Sequence, residues 1–204
     1  MNPYRIAVCT SGYGSNLQAI IDRVRDGRLD VSLELVVCDR EQAYSITRAR
    51  EAGIEVLLIE PRMYASREQY EQRIVDKLQE KHIDLVVLAG YMRIVTAVFV
   101  HAYEGRIINV HPSLLPAFRG MHAVQQAHQY GVKVTGVTVH IVDEGLDSGP
   151  IIAQQCVEVM PGESEASLTA RIQTVEHELL PQVIGWFRTG CVQISGRNVI
   201  VQEV

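Results

Sequence analysis

Apolar residues along this chain come in short unbroken runs, and between the runs they recur every three or four positions. Arg5–Thr10, Leu33–Cys38, Ile54–Ile59 and Asp84–Ala89 are runs of strand length with almost no polar interruption. Such runs predict strands covered on both faces, the usual state of a parallel sheet. Between them Leu17, Ile20, Ile21 and Val24 have helical spacing, and Tyr44–Ala52 ends at Gly53. Ser66-Arg67-Glu68-Gln69 has the form of a capping box, followed by Tyr70, Ile74, Val75 and Leu78 on one helical face. Strand and helix alternate, which predicts an α/β, doubly wound, mostly parallel sheet with helices on both faces.

The second half varies the pattern. Ile107–Val110 reads as a strand that stops at Pro112, and Gly120 opens a helix near His122–Tyr130. Val134–Val142 alternates and predicts a strand with one buried face, with Gly136, Thr138 and His140 on the other. Ile151–Val157 is a further strand. Ser164–Arg188 places Leu168, Ile172, Val175, Leu179 and Val183 along one stripe of a long helix, which Pro181 should kink. Cys191–Ile194 and Val199–Gln202 suit a terminal hairpin. No repeat or linker appears, so residues 1–204 read as a single domain, with one half over about 1–100 and a second over about 101–190.

Composition narrows the function classes. The chain has 204 residues, 47% of them hydrophobic, enough for a substantial core. A net charge of −5 gives no broad basic field for nucleic acid. No apolar run is long enough to span a membrane or to form a signal peptide. Cys9, Cys38, Cys156 and Cys191 are widely spaced, which reads as reduced thiols in a cytoplasmic protein.

Three stretches carry candidate chemistry. Ser11-Gly12-Tyr13-Gly14-Ser15-Asn16 joins the first strand to the first helix, where free backbone N–H groups can face a phosphate. It lacks the Lys of a P-loop and the third glycine of a dinucleotide fingerprint. Asn109 and His111 are two apart in a strand and share a face, so an amide and an imidazole could together hold charge on a carbonyl oxygen. Asp147 lies in a loop rich in turn residues, flanked by Leu146 and Ser148-Gly149-Pro150, which could turn a carboxylate inward. His140 reads equally as a packed histidine or a site residue. Read alone, Gly90-Tyr91-Met92-Arg93-Ile94-Val95 is core packing more than a pocket wall.

Taken together, Gly12-Tyr13-Gly14-Ser15-Asn16-Leu17, Asn109-Val110-His111-Pro112-Ser113-Leu114-Leu115-Pro116 and Thr135-Gly136-Val137-Thr138-Val139-His140 leading into Asp147-Ser148-Gly149-Pro150 resemble the formyltransferases that use 10-formyltetrahydrofolate. The resemblance covers nearly the whole chain from Arg5 to about Phe187. It implies a formyltransferase-like variant of the Rossmann arrangement. The Gly-Ser-Asn-Leu loop narrows it to the members that formylate the amine of 5-phosphoribosylglycinamide in purine (IMP) biosynthesis. The implied catalytic residues are Asn109, His111 and Asp147. Gly14, Ser15 and Asn16 match the loop holding the 5′-phosphate, and Glu176 a residue contacting the ribose. Met92, Arg93, Ile94 and Val95 match the segment lining the pterin pocket, which overturns the core reading. Arg67 matches a position near the folate. Asp143 opens the loop that closes over the pterin, and Asn109 also faces it.

The first half would thus bind phosphate, and the second would carry folate and catalysis. Asp147 would favour a charged His111 imidazolium, a stronger donor, and could itself take the amine proton. The partners implied are the two small molecules, with no metal, nucleic acid or membrane, in a monomer or homodimer. A sugar-nucleotide formyltransferase is the alternative within the group. From another class, a metallohydrolase would need His111, His122, His140 and Asp147 to converge, and their spacing matches no ligand motif.

Overall fold

The computed structural model describes residues 3–202, which fall into two compact units dividing between Ile108 and Asn109. Seven strands form one mostly parallel sheet: β1 (Arg5–Thr10), β2 (Ser32–Cys38), β3 (Glu55–Leu58), β4 (Leu85–Leu88), β5 (Ile107–His111), β6 (Val134–Ile141) and β7 (Ile151–Glu158). Their order is β3-β2-β1-β4-β5-β6-β7. Helices α1 (Ser15–Arg25), α2 (Tyr44–Glu51), α3 (Arg67–Glu80), α4 (Ala97–Ala102), α5 (Ala123–Tyr130) and α6 (Glu165–Arg188) surround it. This is the α/β architecture that the alternation predicts. The terminal hairpin is present as β8 (Val192–Ser195) and β9 (Asn198–Val201), paired antiparallel.

In the first unit β1 pairs in parallel with β2 and β4, and β2 with β3. Ile6–Cys9, Leu35–Cys38 and Leu85–Val87 are completely buried, as continuous apolar strands require. Leu17 and Ile20 of α1 and Ile74 and Leu78 of α3 bury the faces that their spacing predicts. The Ser66 hydroxyl caps α3 by accepting from the Gln69 N–H at 3.2 Å. Because these strands are parallel, the segments after Thr10, Cys38 and Leu88 leave one edge of the sheet. There the Ser11 N–H donates to the Gly90 carbonyl at 3.0 Å, and the Met92 N–H to the Ser11 hydroxyl at 2.9 Å. The six-residue α4 and a 3-10 turn over Pro61–Met63 have no counterpart in the sequence reading.

The second unit corrects one expectation. Strand β6 is buried on both faces, not one: every residue from Thr135 to Ile141 is covered. The supposed open face carries small polar groups because it packs on the segment after β5. The Thr138 hydroxyl accepts from the Leu115 N–H at 3.0 Å and donates to the Ser113 carbonyl at 2.7 Å. A Cβ at Gly136 would stand 2.1 Å from the Gln155 carbonyl oxygen on β7 and 2.7 Å from Leu114. Gly136→Ala is therefore expected to destabilise the fold by about 3 kcal/mol. A thermal melt should show a Tm lower by roughly 6–12 °C; an unchanged Tm would contradict this packing. Helix α6 is capped by the Ser164 hydroxyl and runs unbroken through Pro181.

Candidate active site

Asn109 and His111 leave β5 on one face, as their spacing predicts, and His140 and Asp147 reach them from β6 and the loop that follows it. The Asn109 amide nitrogen lies 3.1 Å from His140 Nε2 and 3.5 Å from Asp147 Oδ1. His111 Nδ1 lies 3.4 Å from Asp147 Oδ2. That oxygen also accepts from the Gly120 N–H at 2.8 Å. The Asp147 side chain is only 11% exposed and turned inward. Its φ of +46° lies in the left-handed region, which aspartate tolerates better than most residues.

Hydrogen-bond roles follow from what each partner can offer. A carbonyl only accepts, so His111 Nε2, 2.8 Å from the Phe118 carbonyl oxygen, carries a proton. His140 Nδ1 likewise donates to the Ile141 carbonyl at 2.8 Å, which leaves Nε2 to accept from Asn109. The His111 Nδ1 lone pair then faces an anionic carboxylate, and one further proton between Nδ1 and Oδ2 would satisfy both. Burial lowers the His111 pKa below its ordinary value; the Phe118 carbonyl and Asp147 oppose this without overcoming it. Desolvation therefore acts on the His111 imidazole more strongly than the neighbouring carboxylate does. Burial pushes the Asp147 carboxyl up, but its surroundings, with the Gly120 N–H donating to it, outweigh this and keep it below the ordinary carboxylate value.

The sequence-predicted binding residues of the first unit form two groups. Gly14 adopts φ +74° and ends the loop at the N-cap position of α1, with Ser15 and Asn16 in its first turn. Gly14 at the N-cap has no side chain to cap that terminus, and backbone N–H groups at a helix start suit an anion. Met92 and Ile94 are 56% and 49% exposed, while Val95 is buried. Their backbone is tied down: Arg67 donates to the Ile94 carbonyl, and the Thr96 N–H donates to the buried Glu71 carboxylate at 2.8 Å. The Arg93 guanidinium lies 3.8 Å from the Asp39 carboxylate and 5.4 Å from the Tyr70 ring. Met92 and Ile94 thus present apolar side chains on a backbone held in place, with Arg67 beside them.

In the second unit Asp143 braces its own loop, accepting from the Ser148 hydroxyl at 2.6 Å and the Gly145 N–H at 3.1 Å. Glu176 is buried on α6. Among the described residues no group of three or more His, Cys, Asp or Glu is placed to hold a metal ion. No helix among them is long and apolar enough to cross a membrane. The Phe118 carbonyl and the Gly120 N–H, which hold His111 and Asp147, are backbone groups and leave no residue-type signal in the sequence.

Comparison with known proteins gives this geometry a lineage. The formyl transferase family pattern matches residues 4–184. The phosphoribosylglycinamide formyltransferase of Bacillus subtilis (strain 168) is 46% identical over 180 residues, covering 88% of this chain and 92% of that protein. The Escherichia coli (strain K12) protein of the same name is 43% identical over 185 residues, 91% of this chain and 87% of its own. The crystal structure of glycinamide ribonucleotide transformylase 1 from Symbiobacterium toebii superimposes with a TM-score of 0.96 at 45% identity, covering 98% of this chain and 95% of that one. Three separated motifs, one inward-turned carboxylate and a match over most of the length agree: the chain belongs to the formyl transferase family.

Proposed function

We propose that this enzyme transfers the formyl group of 10-formyltetrahydrofolate to the glycinamide amine of 5-phosphoribosylglycinamide in purine biosynthesis. The observation that carries the reading is the convergence of Asn109, His111 and Asp147, with His111 Nδ1 3.4 Å from Asp147 Oδ2 and the Asn109 amide nitrogen 3.5 Å from Asp147 Oδ1. Buried free thiols at Cys9, Cys38 and Cys191 suit the cytoplasm, where both small-molecule substrates would be met.

10-Formyltetrahydrofolate supplies the activated formyl carbon. Asn109 turns an amide N–H to the formyl oxygen as that oxygen gains negative charge. His111 Nδ1, backed by the Asp147 carboxylate, takes the proton that the attacking amine must lose. The resulting imidazolium is paired with the carboxylate and favours the charge on oxygen. The same proton then goes to the folate nitrogen as its bond to carbon breaks, so the pair ends in its starting state. Gly14, Ser15 and Asn16 hold the 5′-phosphate, and Glu176 a ribose hydroxyl. Arg67, Met92, Arg93, Ile94, Val95 and Asp143 serve the folate.

Mixing the protein with both substrates should release tetrahydrofolate only when the ribonucleotide amine is present. Release with an amino-sugar nucleotide instead, and none with phosphoribosylglycinamide, would overturn the assignment. Ser15→Ala should raise the KM for the ribonucleotide about tenfold through loss of one bond to a charged group, with the folate KM little changed. An equal rise for both substrates would count against a dedicated phosphate loop.

A further inference from the structure

Helix α2 grips the glycine loop. The Ser45 N–H donates to the Gly12 carbonyl at 3.1 Å. Gly14 lies so close that a Cβ there would stand 2.7 Å from the Ser45 Cβ. One turn on, Arg48 reaches back with two donors, Nε to the Tyr13 carbonyl at 3.0 Å and Nη1 to the Gln18 side-chain oxygen at 2.8 Å. Its guanidinium carbon is 4.5 Å from the centre of the Tyr13 ring and 4.8 Å from that of Tyr44. The two rings stack on each other with centroids 5.4 Å apart and planes 16° apart. Tyr13 is 68% exposed and Tyr44 48%, so the stack adds little to the core. It confines a guanidinium whose fork spans the loop and the first turn of α1.

We propose that Arg48 is a positioning residue for the 5′-phosphate, acting through the Tyr13 carbonyl and Gln18 to set the backbone of the Tyr13–Asn16 loop, with the Tyr13–Tyr44 stack holding its plane. The inference rests on the reading of Gly14, Ser15 and Asn16 as the phosphate site. Successive backbone N–H groups bind an anion well only if their directions are fixed beforehand; a loose loop loses affinity in being ordered. A fork of rigid geometry can bridge two acceptors in this way. A lysine ammonium carries the same charge without that shape.

The test uses the full-length enzyme and two acceptors, 5-phosphoribosylglycinamide and its dephosphorylated nucleoside. Arg48→Met should raise the KM for the phosphorylated acceptor about tenfold, the loss expected for a charge-assisted hydrogen bond. Its kcat should stay within about twofold and the folate KM unchanged, because the residue acts on binding alone. Arg48→Lys should give nearly the same rise, and the exposed Tyr13→Ala a rise of about threefold. With the dephosphorylated acceptor all three effects should vanish, since the loop then has nothing to hold.

Equal losses on both acceptors, or a wild-type KM in Arg48→Lys, would overturn the positioning role while leaving the phosphate loop intact. A wild-type enzyme indifferent to the phosphate would overturn the phosphate-loop reading and this inference with it. Should Arg48→Met fail to fold, Arg48→Lys and Tyr13→Ala decide the question by the same comparison.

Discussion

Replacing Asp147 by Asn is expected to lower kcat about a thousandfold, the range of a lost proton-transfer partner, while each KM stays within about threefold. The substitution keeps the shape of the side chain and its ability to accept from the Gly120 N–H. It removes the anion opposite His111 Nδ1 and with it the charge that would stabilise the imidazolium formed when the amine proton arrives. The pH profile gives an independent check. His111 titrates below its ordinary value of 6.5, so wild-type kcat/KM should be level through neutral pH and fall on the acid side as Nδ1 is protonated. Asp147 pulls that pKa upward, so without the anion the acid limb should move to lower pH. A limb that stays in place, or near-wild-type turnover, would remove Asp147 from the mechanism. Stability has the same sign. The depressed carboxyl contributes stability above its unfolded pKa of about 3.9, and this is lost as pH falls through the lower folded value. Asp147→Asn should lack that part of the acid-side fall in Tm.

Asn109→Ala is expected to cost roughly a hundredfold to a thousandfold in kcat, the typical effect of removing one donor to a developing oxyanion. Here the pH profile should keep its acid limb, because His111 and Asp147 stay opposite each other and only the long 3.5 Å contact of Asn109 with Asp147 Oδ1 is lost. That contrast separates the two roles: one substitution shifts the profile and the other only lowers it. A wild-type rate in Asn109→Ala would leave the formyl oxygen without its assigned donor.

The two residues Asn109 and His111 were legible as a pair because a strand puts alternate side chains on one face, a local rule. Asp147 is 36 or more positions away along the chain, and the turn residues around it allow an inward carboxylate without announcing what it meets; only the motif resemblance linked it to them. The continuous apolar strands of the first unit were equally plain, since burial on both faces writes itself into residue type. Strand β6 misled for the opposite reason. Its polar alternation looks like a wet face, yet Thr138 is buried by satisfying backbone groups of Ser113 and Leu115, partners that lie more than twenty residues away. Helix α4 is too short for a periodic signature, and Arg48 is one arginine among several until its two tyrosines are placed beside it.

The pairing of β6 with β7 contains one irregularity: Val139 faces Ala153, but His140 faces Ile151, so Ile152 is an extra residue in the ladder. A miscount of one reverses which side of a sheet each later side chain occupies. The outer part of β7, with its exposed Gln154, Gln155 and Cys156, therefore keeps a different phase from the stretch that meets His140. A surplus link in the backbone, and no particular side chain, separates the exposed stretch of this strand from the end that pairs with His140.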